Sequence, residues 1–234
     1  LGIDPYPAAE YPVNVHSAEI LAQYKPEANN YQEVVLAGRL MGFRIMGNAS
    51  FAELQDASGR IQLYFRRDDL CPGEDKTLYN TVFKKLLDLG DFIGIEGELF
   101  TTQVGAKCVR VDGFTFLSKT LRPLPMPKTD EEGNVHDAFN DAELRYRMRY
   151  VDLVVNPQVK EVFIKRTKLF TAMRNYFNAA GYMEVETPVL QSIAGGAAAR
   201  PFITHHNSLD IPLYMRIANE LYLKRLIVGG FDGV

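Results

Sequence analysis

Two pairs of side chains in the second half of the sequence have types that could do chemistry. Glu184 and Glu186 have the types of an acid–base pair, and His205 and His206 those of metal ligands. Alternate residues of a strand share a face without sharing a site, so we expect a structural or interface role for the glutamates. Adjacent histidines point to different sides and no third ligand has suitable spacing, which argues against a metal site. No Gly-rich phosphate loop of the Walker type occurs, which excludes a P-loop ATPase.

The composition predicts an ordinary globular protein, with 47% hydrophobic and 24% charged residues in a length of 234 that allows one or two domains. No run approaches the roughly 20 apolar residues that span a membrane, and a secretory signal is not evident. Cys71 and Cys108 are too few for a disulfide framework, so we expect a cytoplasmic protein with reduced thiols that are buried or half-buried. The net charge of −3 means that any attraction to nucleic acid must come from a local basic face.

Residues 31–121 have the pattern of a small β-barrel. A stretch with one apolar face at 76–89 predicts a helix, and 56–59 predict a turn. Three strands, a helix and two strands (β-β-β-α-β-β) is the order of the OB-fold, an all-β barrel that binds oligonucleotides on one face. An SH3-like barrel remains an alternative from the pattern alone. The predicted strands are 33–41, 50–55, 60–66, 92–100 and 107–117.

Residues 1–30 are predicted to form an N-terminal arm that packs on the barrel. It contains a short helix at 17–24, with Ser17 as its N-cap and with Ile20 and Leu21 on its buried side. Residues 122–148, which are rich in proline and then acidic, are predicted to be a linker.

Helices are predicted at 141–155 and 156–180. Asn156 is the expected N-cap of the second, Pro157 occupies its first position and Gly181 ends it. Residues 182–185 are then expected to lead into a short strand. The long helix carries an apolar stripe made of Val159, Val162, Phe163, Phe170, Met173 and Phe177.

Several segments resemble class II lysyl-tRNA synthetases. The octet GYMEVETP at 181–188 is similar to the first motif of that class, although a helix, turn and strand ended by proline is common elsewhere. The segment GGAAARPFITHHN at 195–207 resembles the stretch that distinguishes lysyl enzymes from aspartyl and asparaginyl relatives. The resemblance runs from about residue 31 to the end in the family's order. Further similar segments are 44–51, 54–56, 60–64, 122–125, 145–153, 214–226 and 229–234.

The resemblance implies a lysine–tRNA ligase, which activates L-lysine with ATP and Mg²⁺ and transfers it to tRNA(Lys), as a homodimer. Its OB domain would read the anticodon with Phe51 as a stacking ring and with Arg44 and Gln62 on base edges and phosphates, Arg39 lying close by. Gln62 suits uracil because its amide both donates and accepts. From the residues alone, Phe51 could instead be a core ring and Arg44 a solvated charge. The loop 104–107 lacks the acidic residue usual in the family, so no site is assigned there.

The same resemblance places Gly196 against the bound lysine and Glu220 in its pocket, and it makes Gly181 and Pro188 part of a dimer motif. The alternative for Glu220 is an exposed pair with Lys224. Residues 149–234 are expected to form an incomplete α+β catalytic domain, because the groups that bind ATP and Mg²⁺ should follow Val234. No catalytic or metal-binding residue is therefore expected in this chain, which alone should not form lysyl-adenylate.

Three other functions remain open from the sequence. A stand-alone OB-fold RNA-binding module would use the barrel alone. An aspartyl- or asparaginyl-type ligase is opposed by the 195–207 segment and by ELYLKRL at 220–226. A ligase that attaches lysine to a protein is opposed by the presence of the barrel.

Overall fold

The computed structural model of the chain describes residues 2–7, 10–129, 132–133, 135–136 and 139–234. It divides into two compact units, residues 1–141 and 142–234. Among the described residues, no helix is both long and apolar enough to cross a bilayer. The domain boundaries at 30, 121 and 148 stay predictions.

The first unit is built on a closed five-stranded barrel with the strand order β1-β2-β3-β5-β4. β1 pairs with β4 to close it, and β3 and β5 are parallel. Helical segments lie between β3 and β4, so the predicted OB-fold order is confirmed and the SH3-like alternative is not supported. The strands are β1 Val34–Met46, β2 Ala49–Gln55, β3 Arg60–Arg66, β4 Phe92–Thr101 and β5 Lys107–Ser118.

Alternating side chains of these strands fill the barrel with a continuous apolar core. β1 runs five residues past its predicted end and contains a bulge between Leu40 and Gly42. Gly38 permits β1 to coil closely against β2, since a Cβ there would lie 2.6 Å from the carbonyl oxygen of Gln55. Fully buried core residues include Leu36, Leu40, Leu54, Leu63, Phe65, Ile93, Ile95 and Val109.

The segment between β3 and β4 contains a short helix, α2 (Arg67–Leu70), and then a π-helix, Leu78–Leu86, where an α-helix was predicted. The amide of Leu87 donates to Val82 O at 3.1 Å, a bond between residues five apart. Tyr79 and Phe83 of this helix pack into the barrel core, and the centroids of their stacked rings lie 5.5 Å apart. Predicting a helix here was right, but its geometry was not foreseen.

The N-terminal arm carries α1 (Ser17–Gln23) and a 3₁₀-helix at Pro26–Ala28. Ser17 was predicted as the N-cap, but His16 holds that position and Ser17 is the first residue of the helix, fully buried. Ile20 is buried as predicted, whereas Leu21 is 41% exposed. The arm also crosses β4, because the ring of Tyr11 covers Gly94.

Asp56, in the predicted turn between β2 and β3, fastens α1 to the barrel. Its Oδ2 accepts the Ser17 amide at 2.7 Å, and its Oδ1 accepts the Ser17 hydroxyl at 2.7 Å. The same Oδ1 accepts the amide and hydroxyl of Ser58 at 2.7 Å and the amide of Gly59 at 2.9 Å, so the turn is confirmed. The Asp56 side chain is only 5% exposed.

After the barrel, a two-stranded ladder joins β6 (Lys128–Thr129) to β7 (Val135–His136). The second unit begins with three helices and continues with a small antiparallel sheet in the order β8-β10-β9. Its elements are α3 Ala142–Arg147, α4 Arg149–Val155, α5 Pro157–Ala179, β8 Leu190–Gln191, β9 Ile203–His206, β10 Ile211–Met215 and α6 Glu220–Val228.

The predicted helix at 141–155 is divided at Met148, and the buried carboxylate of Asp152 binds side chains from both sides of the break. Arg145 donates to Asp152 at 2.9 Å, and Arg149 also binds it. Asn156 occupies the N-cap position of α5, but its amide donates to Asp152 at 2.8 Å instead of capping the helix.

One prediction for the second unit was wrong. Residues 182–185 form no strand; the amide of Met183 donates to Gly233 O at 3.0 Å, and β8 begins only at Leu190. In the apolar stripe of α5, only Val159 is buried. The other five members are between 42 and 64% exposed: Val162, Phe163, Phe170, Met173 and Phe177.

Candidate functional site

The outer face of the barrel carries a straight row of side chains across β1, β2 and β3. Arg44 lies directly opposite Phe51, and Phe51 lies directly opposite Tyr64. Phe51 is half-buried and lies between the inward-facing Ser50 and Ala52, so it belongs to the outer face. The alternative that Phe51 is a core ring is therefore excluded by its position on the strand.

An open cleft of about 300 Å³ lies on this face and brings together Arg44, Phe51 and Gln62. Gly42 and Glu53 also contribute to its walls. A ring to stack on, a guanidinium for phosphate or base edges and an amide that donates and accepts are the groups that bind a single-stranded nucleotide. The structure thus collects three of the four predicted anticodon-binding residues in one place.

Two further aromatic rings support Phe51 from the side of β3. The Phe51 and Tyr64 ring centroids lie 5.2 Å apart, and those of Tyr64 and Phe100 lie 5.8 Å apart in an edge-on contact. Such contacts hold a ring at a defined angle. Phe51 is therefore a fixed platform on the rim of the cleft.

The two predicted arginines have different environments. Arg44 is exposed, and its guanidinium donates to Met46 Sδ at 3.3 Å, a weak acceptor that nucleic acid could replace. Arg39 does not line the cleft; it donates to Gly90 O at 2.9 Å and stacks over Phe92 at 4.2 Å. Burial lowers the pKa of Arg39 from its ordinary value. Arg39 thus serves a contact within the barrel in this structure.

Glu53 is a cleft residue that the sequence did not suggest. It lies two residues after Phe51 on the same outer face and directly opposite Gln62. Arg60 donates to Glu53 Oε2 at 3.0 Å and, through Nε, to Gln55 at 2.7 Å. The alternation of β2 alone would have placed Glu53 beside Phe51.

In the second unit, the two residues predicted to bind lysine are neighbours. Gly196 has a φ of +94°, which favours glycine, and a Cβ there would lie 3.1 Å from Cβ of Ala218 and 4.0 Å from Cβ of Glu220. Glu220 begins α6 and forms an exposed ion pair with Lys224, so the alternative predicted from the spacing is present. This pair lowers the pKa of Glu220, which keeps it a carboxylate.

The segment 181–188 is fixed at both ends. Gly181, at a φ of +84°, ends α5, and the amide of Tyr182 returns to Phe177 O at 3.0 Å. Thr187 is buried, accepts two bonds from Arg216 at 2.6 and 2.8 Å, and donates to Asn219 at 3.0 Å. The sequence did not reveal this link to the start of α6, while Pro188 and Gly181 themselves are exposed.

Among the described residues there is no group of three or more His, Cys, Asp or Glu side chains that could hold a metal ion. The side chains that the structure describes therefore do not fit a magnesium site. His205 pairs with Asp210 at 3.1 Å, and Glu184 pairs with Arg174 at 3.0 Å. Both cysteines are free and buried, and burial raises the pKa of Cys108 to about 12.

Comparisons with known proteins cover both units. Residues 34–117 match the OB-fold nucleic acid binding domain, and residues 141–234 match the tRNA synthetases class II (D, K and N). Lysine–tRNA ligases align with the whole chain at 69% identity from Christiangramia forsetii, 66% from Porphyromonas gingivalis strain W83 and 62% from Azobacteroides pseudotrichonymphae. The chain spans 40% of the length of the first two relatives and 46% of the third. Residues 141–234 are therefore similar to class II tRNA synthetases, and they follow a segment that is similar to the OB-fold nucleic acid binding domain.

Proposed function

We propose that the whole protein is a lysine–tRNA ligase. It would join the carboxylate of L-lysine to the α-phosphate of ATP, release pyrophosphate and then transfer the lysyl group to tRNA(Lys). The relatives named as lysine–tRNA ligases support this reading, since they are 62 to 69% identical along the full chain. They also argue against an aspartyl- or asparaginyl-type ligase. The synthetase match over residues 141–234 argues against a stand-alone RNA-binding module.

The barrel would bind the anticodon, and the observation that carries this proposal is the cleft shared by Arg44, Phe51 and Gln62. A splayed base would stack on Phe51, whose ring is held at a fixed angle by Tyr64. Arg44 would leave the weak sulfur acceptor of Met46 for a phosphate or a base. Arg39 enters the proposal only if its bond to Gly90 opens.

The lysine site would include Gly196 and Glu220. Glu220 is ionised and its partner Lys224 is an exposed ammonium, so the α-ammonium of a bound lysine can take the place of that partner with the same charge complementarity. Gly196 would let the backbone approach the ligand closely, since it carries no Cβ and its φ of +94° favours glycine. ATP and Mg²⁺ belong to the proposed reaction of the whole ligase, and no step through them is assigned to residues of this chain.

We include a homodimer in the proposal, with Gly181 and Pro188 in its motif. Its support is the exposed apolar face of α5, where Phe170, Met173 and Phe177 are between 42 and 47% exposed. The cytoplasm is the proposed setting, and the two free thiols are consistent with it.

Anticodon binding can be tested on the 234-residue chain with an isolated tRNA(Lys) anticodon stem-loop. Replacing Phe51 with Ala should weaken binding by about 1–3 kcal/mol, which is the usual contribution of one stacked base. Phe202→Ala is a matched control, because Phe202 is 80% exposed and lies in the other unit. Affinity would be measured by fluorescence anisotropy and folding by circular dichroism. An unchanged affinity for a folded Phe51→Ala chain would exclude Phe51 as the platform.

The ligase activity itself requires the whole protein. Lysine-dependent exchange between ATP and pyrophosphate should be present there and should not respond to aspartate or asparagine. Absence of lysine-dependent exchange would overturn the ligase proposal without affecting the anticodon proposal.

A further inference from the structure

We propose that Glu53 accepts the N3–H of a uracil held in the Phe51 cleft and thereby makes the cleft prefer uracil to cytosine. This inference rests on the anticodon binding proposed above and adds to it a residue that determines base specificity.

The first argument is position. Glu53 shares the outer face of β2 with Phe51 and lies directly opposite Gln62 on β3. Side chains directly opposite on neighbouring strands have Cβ atoms about 4.5–5.5 Å apart. A carboxylate and an amide at that separation can contact neighbouring atoms on the edge of one base while the ring of Phe51 holds its face.

The second argument is that the carboxylate is already oriented. Arg60 donates to Glu53 Oε2 at 3.0 Å, and the Nε of Arg60 is bound to Gln55 at 2.7 Å. Both contacts fix Glu53 from the end of β2 away from Phe51. Within the part of the chain that the structure describes, no donor bonds Oε1, so this oxygen of a cleft-lining residue can still accept a hydrogen bond.

The third argument is the chemistry of the base edge. An ionised carboxylate only accepts hydrogen bonds, whereas an amide such as Gln62 can donate and accept. Uracil presents an N–H at position 3, but cytosine presents a lone pair there. Cytosine would therefore set its lone pair against Glu53 Oε1 and leave that oxygen without a donor, which costs binding free energy.

The test measures the ratio of affinities for paired ligands. Each uridine of the anticodon stem-loop is replaced in turn by cytidine or by N3-methyluridine, which lacks the donor. We expect wild-type protein to bind the changed stem-loop about 10- to 150-fold more weakly at one position, the loss expected for one hydrogen bond to a charged group. In Glu53→Ala this ratio should fall towards one, and in Glu53→Gln, which keeps an acceptor, it should be intermediate.

Glu98→Ala is the matched control. Glu98 is half-buried on the same side of the barrel and pairs with Arg110 as Glu53 pairs with Arg60, but it is not part of the cleft. Both alanine variants release one arginine, so a general gain in RNA affinity should be common to them. Only Glu53→Ala should lose the preference for uracil.

The outcomes separate the two proposals. A Glu53→Ala variant that keeps the wild-type ratio, or a wild-type cleft that prefers cytosine through its N4 amino group, overturns the role of Glu53 while stem-loop binding stands. Failure of wild-type protein to bind the stem-loop at all overturns the anticodon proposal and this inference with it. Phe51→Ala should weaken uridine and cytidine ligands equally, which identifies stacking as a separate contribution.

Discussion

We predict that mutation of Asp56 to alanine causes a large loss of stability that is greatest around α1. It accepts five hydrogen bonds, two of them from Ser17, the fully buried first residue of α1. A hydrogen bond to a charged group contributes about 1.5–3 kcal/mol, so losing the two from Ser17 should cost about 3–6 kcal/mol if α1 stays in place. The loss of stability cannot exceed the free energy of undocking α1 from the barrel, which would let water reach Ser17 but would expose Ile20.

Hydrogen exchange followed by mass spectrometry is the appropriate assay. In Asp56→Ala, amides at 17–23 should exchange far faster, while those of the central part of β1 change less, because the helix opens before the barrel. Asp75→Ala is the control, since exposed Asp75 accepts hydrogen bonds from its near neighbour Thr77 and holds no buried group. Equal protection of α1 in wild-type and Asp56→Ala protein, or a loss below about 1 kcal/mol in urea unfolding, would refute the reasoning.

The same carboxylate predicts a pH dependence. Burial raises the pKa of Asp56, but hydrogen bonds from Ser17 and Ser58 lower it by more, so its pKa lies below the ordinary 3.8. The unfolded chain therefore binds the proton more readily than the folded chain. The stabilisation should be complete above the unfolded pKa and should disappear as pH falls through the folded one. The difference in stability between wild-type and Asp56→Asn should accordingly shrink below about pH 4.

Two further predictions follow from close contacts and from the proposed lysine site. Gly94→Ala should lower the free energy of unfolding in urea by about 1–3 kcal/mol, because the new Cβ would lie 2.3 Å from the Tyr11 ring. Gly113→Ala, whose new Cβ would have its nearest atom at 3.9 Å, should lower it much less. Equal losses in the two variants would contradict the close contact. In the whole ligase, Glu220→Gln should raise the KM for lysine at least several-fold. Glu161→Gln, which removes an ion pair of the same i,i+4 spacing on α5, should leave the KM for lysine unchanged. An unchanged KM in both variants would remove Glu220 from the lysine site.

The barrel was predictable because each strand has one face in the core, and alternation in the sequence records that face. The π-helix was not, since its wider turn depends on how Tyr79 and Phe83 meet the core. Ser17 and Asn156 have the residue types of N-caps, but each bonds a carboxylate instead. Asp56 is 39 positions away from Ser17, and no local pattern reports such a partner. Residues 182–185 were expected to lead into a strand, but they form none.

The candidate site shows the same division. Phe51, Arg44 and Gln62 were predicted by resemblance, and strand pairing brings them to one cleft. Arg39 was predicted beside them, but the carbonyl of Gly90 and the ring of Phe92 hold its guanidinium elsewhere. These contacts come from residues more than fifty positions along the chain, which the sequence does not connect to Arg39.

The bulge in β1 reverses the alternation of inward-facing and outward-facing side chains along that strand. Before it, even-numbered residues from Val34 to Leu40 face the core; after it, Phe43 packs on the core and Arg44 faces out. If the same residues paired without this bulge, Phe43 would lie opposite Phe51 and Arg44 would face the apolar interior. The chemistry of the cleft therefore depends on the backbone geometry at this bulge as much as on which residues occupy the strand.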